Sequence, residues 1–332
     1  MMNFQKKHLN KFQLKSLWSV IFMLFVANIN ISCEQKELCY AHNHTSMIKV
    51  NFDWRNAPEA NPSSMLFYLF PTEEASTIKR EFIGKDGGIS QALAGISYIA
   101  LGFNSDIKNT TLKVCEEQAS IEAISKTSAN IDKIGISSSA LPRAEESKSQ
   151  RMTKEADKLW SATSEDNIYI PKEEYDKDIT YNITLFPQQR YCTYRIKILN
   201  IENTDKISPS VAASLSGLAG GVNLTTGKKL EEDVTIPFSI NIKDSSIEGS
   251  FLCYGNSINQ SETNKLVIYT IMKDGTKWYY VYDVTKQIQD APDPYNVEII
   301  LNNLPVPNKM EGDSGLYPSV NDWNIIEIPL GM

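Results

Sequence analysis

Residues 235–243 read Thr235-Ile236-Pro237-Phe238-Ser239-Ile240-Asn241-Ile242-Lys243, with Ile236, Phe238, Ile240 and Ile242 alternating against Pro237, Ser239, Asn241 and Lys243. A period of two puts successive side chains on opposite faces, so this stretch predicts a half-buried antiparallel strand. The pattern recurs outward in both directions. Val50, Phe52 and Trp54 alternate with Lys49, Asn51 and Asp53, and Trp278, Tyr280, Tyr282 and Val284 share one face of a later stretch. Further strand candidates are 65–70, 96–103, 183–186, 194–201, 265–271, 297–301 and 324–328, rich in Ile, Tyr and Phe and separated by Gly, Asn, Asp and Pro. The expected fold class is all-β, built of antiparallel β-sandwiches. One helix is expected, Ser208–Ala219: Ser208 can cap it, Pro209 suits its first position, Val211, Leu215 and Leu218 share a helical face, and Gly220-Gly221 can end it. The alternative for this small-residue run is a loop crossing between sheets.

The chain has 332 residues, 42% hydrophobic and 22% charged, enough for about two domains with real cores. Its start is a basic leader (Lys6, Lys7, Lys11, Lys15) followed by the apolar run 17–31, the pattern of a secretory signal peptide over 1–32. That run falls short of the roughly 20 apolar residues of a spanning helix. Ser32-Cys33 at its end looks like a bacterial lipobox, in which Cys33 is lipidated and becomes the new N-terminus; Asn30 departs from that pattern. The alternative is ordinary cleavage with Cys33 left as a thiol. Buried acyl chains contribute about 0.8 kcal/mol per CH₂ and would hold the protein on a membrane without a spanning helix. Residues 33–39 then form a tether and 40–136 an N-terminal sandwich. The polar stretch 137–166 reads as a linker or long exposed loop, with Arg143 and Arg151 open to trypsin-like nicking, and 167–332 as a C-terminal sandwich. On that division Cys39 with Cys115, and Cys192 with Cys253, are the candidate disulfides, buried free thiols being the alternative.

Forty acidic against 33 basic side chains give a formal charge of −7; loss of residues 1–32 removes four lysines and no acid, leaving 29 basic side chains and a charge of −11. Such a chain lacks the clustered positive charge that binds nucleic acid. Three histidines, His8, His42 and His44, leave little material for His-dependent catalysis or metal binding. No Cys or His spacing suggests zinc. The segment Gly220–Lys229 misses the phosphate-binding loop twice, with Val222 where its first glycine belongs and Lys229 where its Ser or Thr belongs. No GxSxG or GxGxxG occurs. The chain therefore reads as non-enzymatic, with no cofactor and no metal. Trp54, Trp160, Trp278, Tyr279, Tyr280, Tyr282 and Trp323 are candidates for glycan stacking, but alternation sends Trp278, Tyr280 and Tyr282 to a core. A carboxylate-pair glycoside hydrolase stays open as an alternative, since its two acids need no fixed spacing in sequence.

Four segments carry a family resemblance: Cys33–Tyr40 (CEQKELCY), Phe52-Asp53-Trp54, Pro62–Pro71 (PSSMLFYLFP) and Ser214–Gly221 (SLSGLAGG). Together they resemble a Bacteroidales lipoprotein family similar to the fimbrillin-type anchor and accessory subunits of type V pili. The resemblance implies two tandem transthyretin-like sandwiches, an outer-membrane lipid anchor at Cys33, and a place in cell-surface fimbriae whose subunits join by strand donation. It also implies fimbrial or other surface subunits as partners. Polymerising members are cut by an Arg-specific protease; here the first arginine after Cys33 is Arg55, at a predicted strand end, which favours an anchor or accessory role over a stalk subunit. The apolar C-terminus, 325–330, is a core strand or a donor strand. A glycan-binding outer-membrane lipoprotein is the alternative function.

Overall fold

The computed structural model describes residues 45–73, 77–131, 135–137, 141–171, 180–259, 263–308 and 323–328. The chain divides into two units, 1–44 and 45–332, and every described residue belongs to the second. The signal peptide, Cys33, Cys39, His42 and His44 lie outside the described residues.

Alternating Val50 and Phe52 belong to the strand Thr45–Phe52, the middle of a three-stranded outer sheet. It runs parallel to Thr180–Leu185 and antiparallel to Gly87–Leu93. Its buried Ile48, Val50 and Phe52 pack with Met65, Phe67 and Leu69 of a central sheet. That sheet is ordered Gln188–Gln189, Trp160–Thr163, Ile96–Asn104, Met65–Pro71, Lys79–Ile83, with Ile168–Ile170 also on Ile96–Asn104. Met65 to Phe70 are all buried, because Leu66, Tyr68 and Phe70 on the opposite face pack into a further cluster. There Ile121 and Ala123 of the strand Ser120–Ser125 meet Ala219, Val222, Leu224 and Tyr254 from the second half of the chain. Ser120–Ser125 pairs with Thr110–Cys115 on one side and Gly221–Asn223 on the other, so the two halves share both a core and a sheet.

The second sandwich is one sheet folded on itself. Its order is Asn296–Asn302, Cys192–Leu199, Ser246–Cys253, Asp233–Lys243, Ile207–Ala219, Lys265–Met272, Lys277–Asp283, Trp323–Ile328. The long strand Asp233–Lys243 forms the crease: 233–239 pairs with Ile207–Ala219, and 240–243 with Ser246–Cys253. The alternating Ile236, Phe238 and Ile240 all face the core so enclosed, where Phe238 stacks on Phe251 with ring centroids 4.4 Å apart. The molecule is all-β and sandwich-built, as the alternation predicts.

Three expectations are corrected. Ile207–Ala219 is a strand, not a helix. Val211, Ala213 and Leu215 face the sandwich core, while Ala212 faces a second cluster on the outer side with Val267 and Tyr269. The register shifts between Leu215 and Leu218, where Gly217 takes φ +73°. That bulge converts a spacing of two into the three that imitates a helical face. The described residues of 137–166 are not simply an exposed loop. Leu141, Ala144 and Met152 are buried over the outer side of the folded sheet, and Ala156, Leu159 and Trp160 are buried further on. Arg151 is no loose cutting site: its Nε and Nη2 each donate to Glu232 at 2.7 Å and its Nη1 to the Ser125 carbonyl at 2.8 Å. Lastly, the sheets do not divide at 137–166, because Trp160–Thr163, Ile168–Ile170, Thr180–Leu185 and Gln188–Gln189 all pair in the first two sheets.

Candidate functional site

The two ends of the folded sheet differ. At one end, Asn296–Asn302 alternates strictly, with Val297, Ile299 and Leu301 buried. A short helix, Thr285–Gln289, sets Gln287 against the open side of this strand. Its Oε1 accepts from the Ile300 N–H at 2.9 Å and its Nε2 donates to the Ile300 carbonyl at 3.1 Å. A side-chain amide thus occupies the backbone positions that an added strand would use.

At the other end, Trp323–Ile328 pairs in parallel with Lys277–Asp283, next to an antiparallel pair. Ile326 and Ile328 pack against the sandwich core. On the other face Trp323 meets Tyr269 and Tyr279 edge-on, with ring centroids 5.7 and 6.4 Å away, while Ile325 is 51% exposed. As the terminal strand it pairs on one side, and no side chain caps its open backbone among the described residues. The candidate C-terminal strand is therefore half core and half edge.

The aromatic candidates turn inward. Tyr280 and Tyr282 are buried in the core, as the alternation requires, with Trp278 packed against it. Trp54 and Trp160 meet edge-on at 6.4 Å, and Trp160 meets Tyr191 at 5.6 Å. Trp160 is buried and Trp54 half-buried by these contacts. Arg55 lies just past the first strand, in a short 3₁₀ turn, paired with Asp53 and 4.9 Å over the Phe186 ring.

The cysteine candidates are placed unequally. Cys192 and Cys253 stand directly opposite on adjacent antiparallel strands. Both are free thiols; burial pushes Cys192 up to about 11 and Cys253 well above its ordinary value, so neither is a ready thiolate at neutral pH. Cys115 is half-buried, and its candidate partner Cys39 lies outside the described residues. Among the described residues no group of three or more His, Cys, Asp or Glu could hold a metal ion. No helix there is long and apolar enough to cross a membrane, which says nothing of crossing by strands.

Two hollows accept small molecules by size. One of about 470 Å³ lies over the face lined by Arg195, Lys197, Lys243 and Glu248. Lys243 donates to Glu248 at 2.6 Å and holds its carboxyl below the usual range, the opposite of what a general acid needs. The other, about 590 Å³, is lined by Arg190, Asn167, Asn182, Gln188 and Thr226. Neither Arg190 nor the edge-capping Gln287 stands out in the sequence. The one signal near Arg190 is Gly227, in the segment that resembles a phosphate loop; it takes φ +72° beside the Arg190 guanidinium.

Fold and edges together define a sandwich-built all-β protein with one sheet end capped by Gln287 and the other without a cap among the described residues. The family model described as a domain of unknown function, DUF5119, matches residues 32–239, and the chain belongs to that family. Among solved structures, a candidate adhesin from Bacteroides ovatus superimposes with a TM-score of 0.59 at 16% identity, covering 80% of this chain and 95% of that one. The fimbrial anchor protein Mfa2 from Porphyromonas gingivalis matches with a TM-score of 0.49 at 10% identity, covering 78% and 91%. A candidate polysaccharide-binding protein from Bacteroides thetaiotaomicron matches with a TM-score of 0.46 at 10% identity, covering 77% and 90%. The first likeness shows a shared fold. No curated protein matches the chain.

Proposed function

We propose that this chain is a non-enzymatic surface adhesion protein of the fimbrial anchor or accessory type, joined to other surface subunits by strand pairing. The observation that carries the reading is the parallel terminal strand Trp323–Ile328, which carries no cap among the described residues while Gln287 closes the other sheet end. Edge pairing supplies main-chain hydrogen bonds, and the half-exposed Ile325 adds apolar contact. In this reading residues 1–32 are a signal peptide and Cys33 carries the lipid that holds the protein on the outer membrane. The likeness to a candidate adhesin supports the class of role.

The test is co-purification from outer membranes with mass spectrometry. Recovery of pilin-like partners, lost when Ile325→Lys and Ile325→Pro block the edge, is the expected result. A protein that comes out alone from both wild-type and variant membranes would sink the assembly role. Cys33→Ala is expected to release the protein into the soluble fraction; retention on the membrane overturns the lipid anchor.

A further inference from the structure

Among the described residues Arg190 is a cation with no anion beside it. Its Nε donates to the Ser161 hydroxyl at 2.7 Å, and that hydroxyl, fully buried, donates to the Leu224 carbonyl at 2.7 Å. The serine sets the plane of the guanidinium. Its other flank rests on Gly227: a Cβ there would overlap Nη1 and stand 3.0 Å from Cζ, so glycine alone leaves the guanidinium its place. None of the ion pairs among the described residues includes Arg190, and its Nη1 and Nη2 make no hydrogen bond there. Burial lowers its pKa from the ordinary arginine value, yet arginine stays charged at any physiological pH.

A partly desolvated charge without a partner is unfavourable, and an anion brought to it recovers that loss. The planar fork of Nη1 and Nη2 matches a carboxylate in two parallel hydrogen bonds. The surrounding cavity of about 590 Å³ adds three primary amides, Asn167, Asn182 and Gln188, which carry no hydrogen bond among the described residues. Each amide offers donors and an acceptor at once, which suits hydroxyl groups. The volume falls within the roughly 300–1,000 Å³ of small-molecule sites. Glu165 and Asp166 stand exposed on the same lining. They disfavour a compact, multiply charged anion, whereas a ligand whose single carboxylate reaches Arg190 and whose remainder is neutral meets them as acceptors.

We propose that Arg190, with Asn167, Asn182 and Gln188, forms a binding site for an acidic sugar of the uronic-acid class, its carboxylate on the guanidinium and its ring hydroxyls on the amides. The site needs no aromatic platform and is independent of the fimbrial role.

The experiment is calorimetric titration of the full mature chain with galacturonate, which carries one carboxylate, with galactose and inorganic phosphate as controls. Binding of the acidic sugar with no comparable binding of the controls is expected. Arg190→Gln is expected to weaken it by about tenfold or more, the factor carried by loss of one charge-assisted pair. Gly227→Ala acts at the same guanidinium and should weaken it similarly. Because Arg190 is partly buried, the exposed pair Asn182→Ala with Gln188→Ala gives a second reading in a chain whose melting is unchanged. Undiminished binding in either the Arg190 or the amide variants overturns the site. Phosphate or the neutral sugar binding as tightly as the uronate overturns the ligand class.

Discussion

The two ends of the folded sheet are built from the same kind of residue and treated in opposite ways. Asn296–Asn302 has a regular apolar row inside and Gln287 hydrogen-bonded to Ile300 outside. Trp323–Ile328 puts Ile326 and Ile328 inward, leaves Ile325 half exposed, and carries no comparable cap among the described residues. An edge strand invites a further strand unless something occupies its backbone groups. The contrast separates an edge whose backbone is occupied from one that, in the proposed function, accepts a further strand.

Four perturbations break or sharpen that contrast. Leu215→Ala in the middle of the sheet, at a fully buried site, is expected to cost about 3 kcal/mol and to lower the melting temperature more than any edge variant. If an edge substitution proves as costly, the distinction between sheet interior and sheet end fails. Arg151→Ala removes the bidentate pair with Glu232 and the bond to Ser125 that ties the halves together, at about 2 kcal/mol in urea unfolding. This loss depends on pH. The Arg151 hydrogen bond holds Glu232 below its ordinary pKa. The pair's stabilisation is therefore full above the unfolded carboxylate value and disappears as pH falls through the lower folded one. Wild type and variant should converge in acid, and a gap that widens there contradicts the pairing.

At the uncapped end, Ile326→Ala is expected to cost about 1 kcal/mol, less than an interior site because its packing is one-sided. Gln287→Ala should change stability least, by about 0.5–1 kcal/mol, yet it frees the Ile300 backbone. Sedimentation should then show self-association through the capped end. A variant that stays monomeric and unchanged at high concentration would show that Gln287 is no edge guard.

The strands around Val50, Ile236 and Tyr280 were legible because one face is core and the other is not, which writes a period of two into the residues. Met65–Phe70 was legible as a strand but not as a layer, since burial on both faces erases the alternation. Ile207–Ala219 misled because the Gly217 bulge moves Leu218 onto the spacing of a helix. The segment 137–166 looked like a linker because its apolar side chains, such as Leu141, Ala144, Met152 and Leu159, are diluted among charges that face solvent.

The candidate sites divide the same way. The apolar C-terminal strand could be read in advance, but its parallel pairing and open side could not. Cys192 and Cys253 could be read as a candidate disulfide or as buried free thiols, and the register places them directly opposite each other. Arg190 has no signature of its own, because its isolation depends on where Ser161, Gly227 and the amides come from, and Ser161 lies 29 residues before it and Gly227 37 after it.

By itself the sequence determined the all-β class, the position of most strands, the acidic charge and the poverty of histidine. These follow from local periodicity and composition, which need no knowledge of distant neighbours. Only the tertiary structure decided that two halves share a core through Ala219, Val222, Leu224 and Tyr254, which sheet end is capped, and that the partly buried Arg190 has no anion beside it among the described residues. Those outcomes depend on pairing across long stretches of chain, where the identity of the neighbour, and not the residue alone, sets burial, charge balance and access.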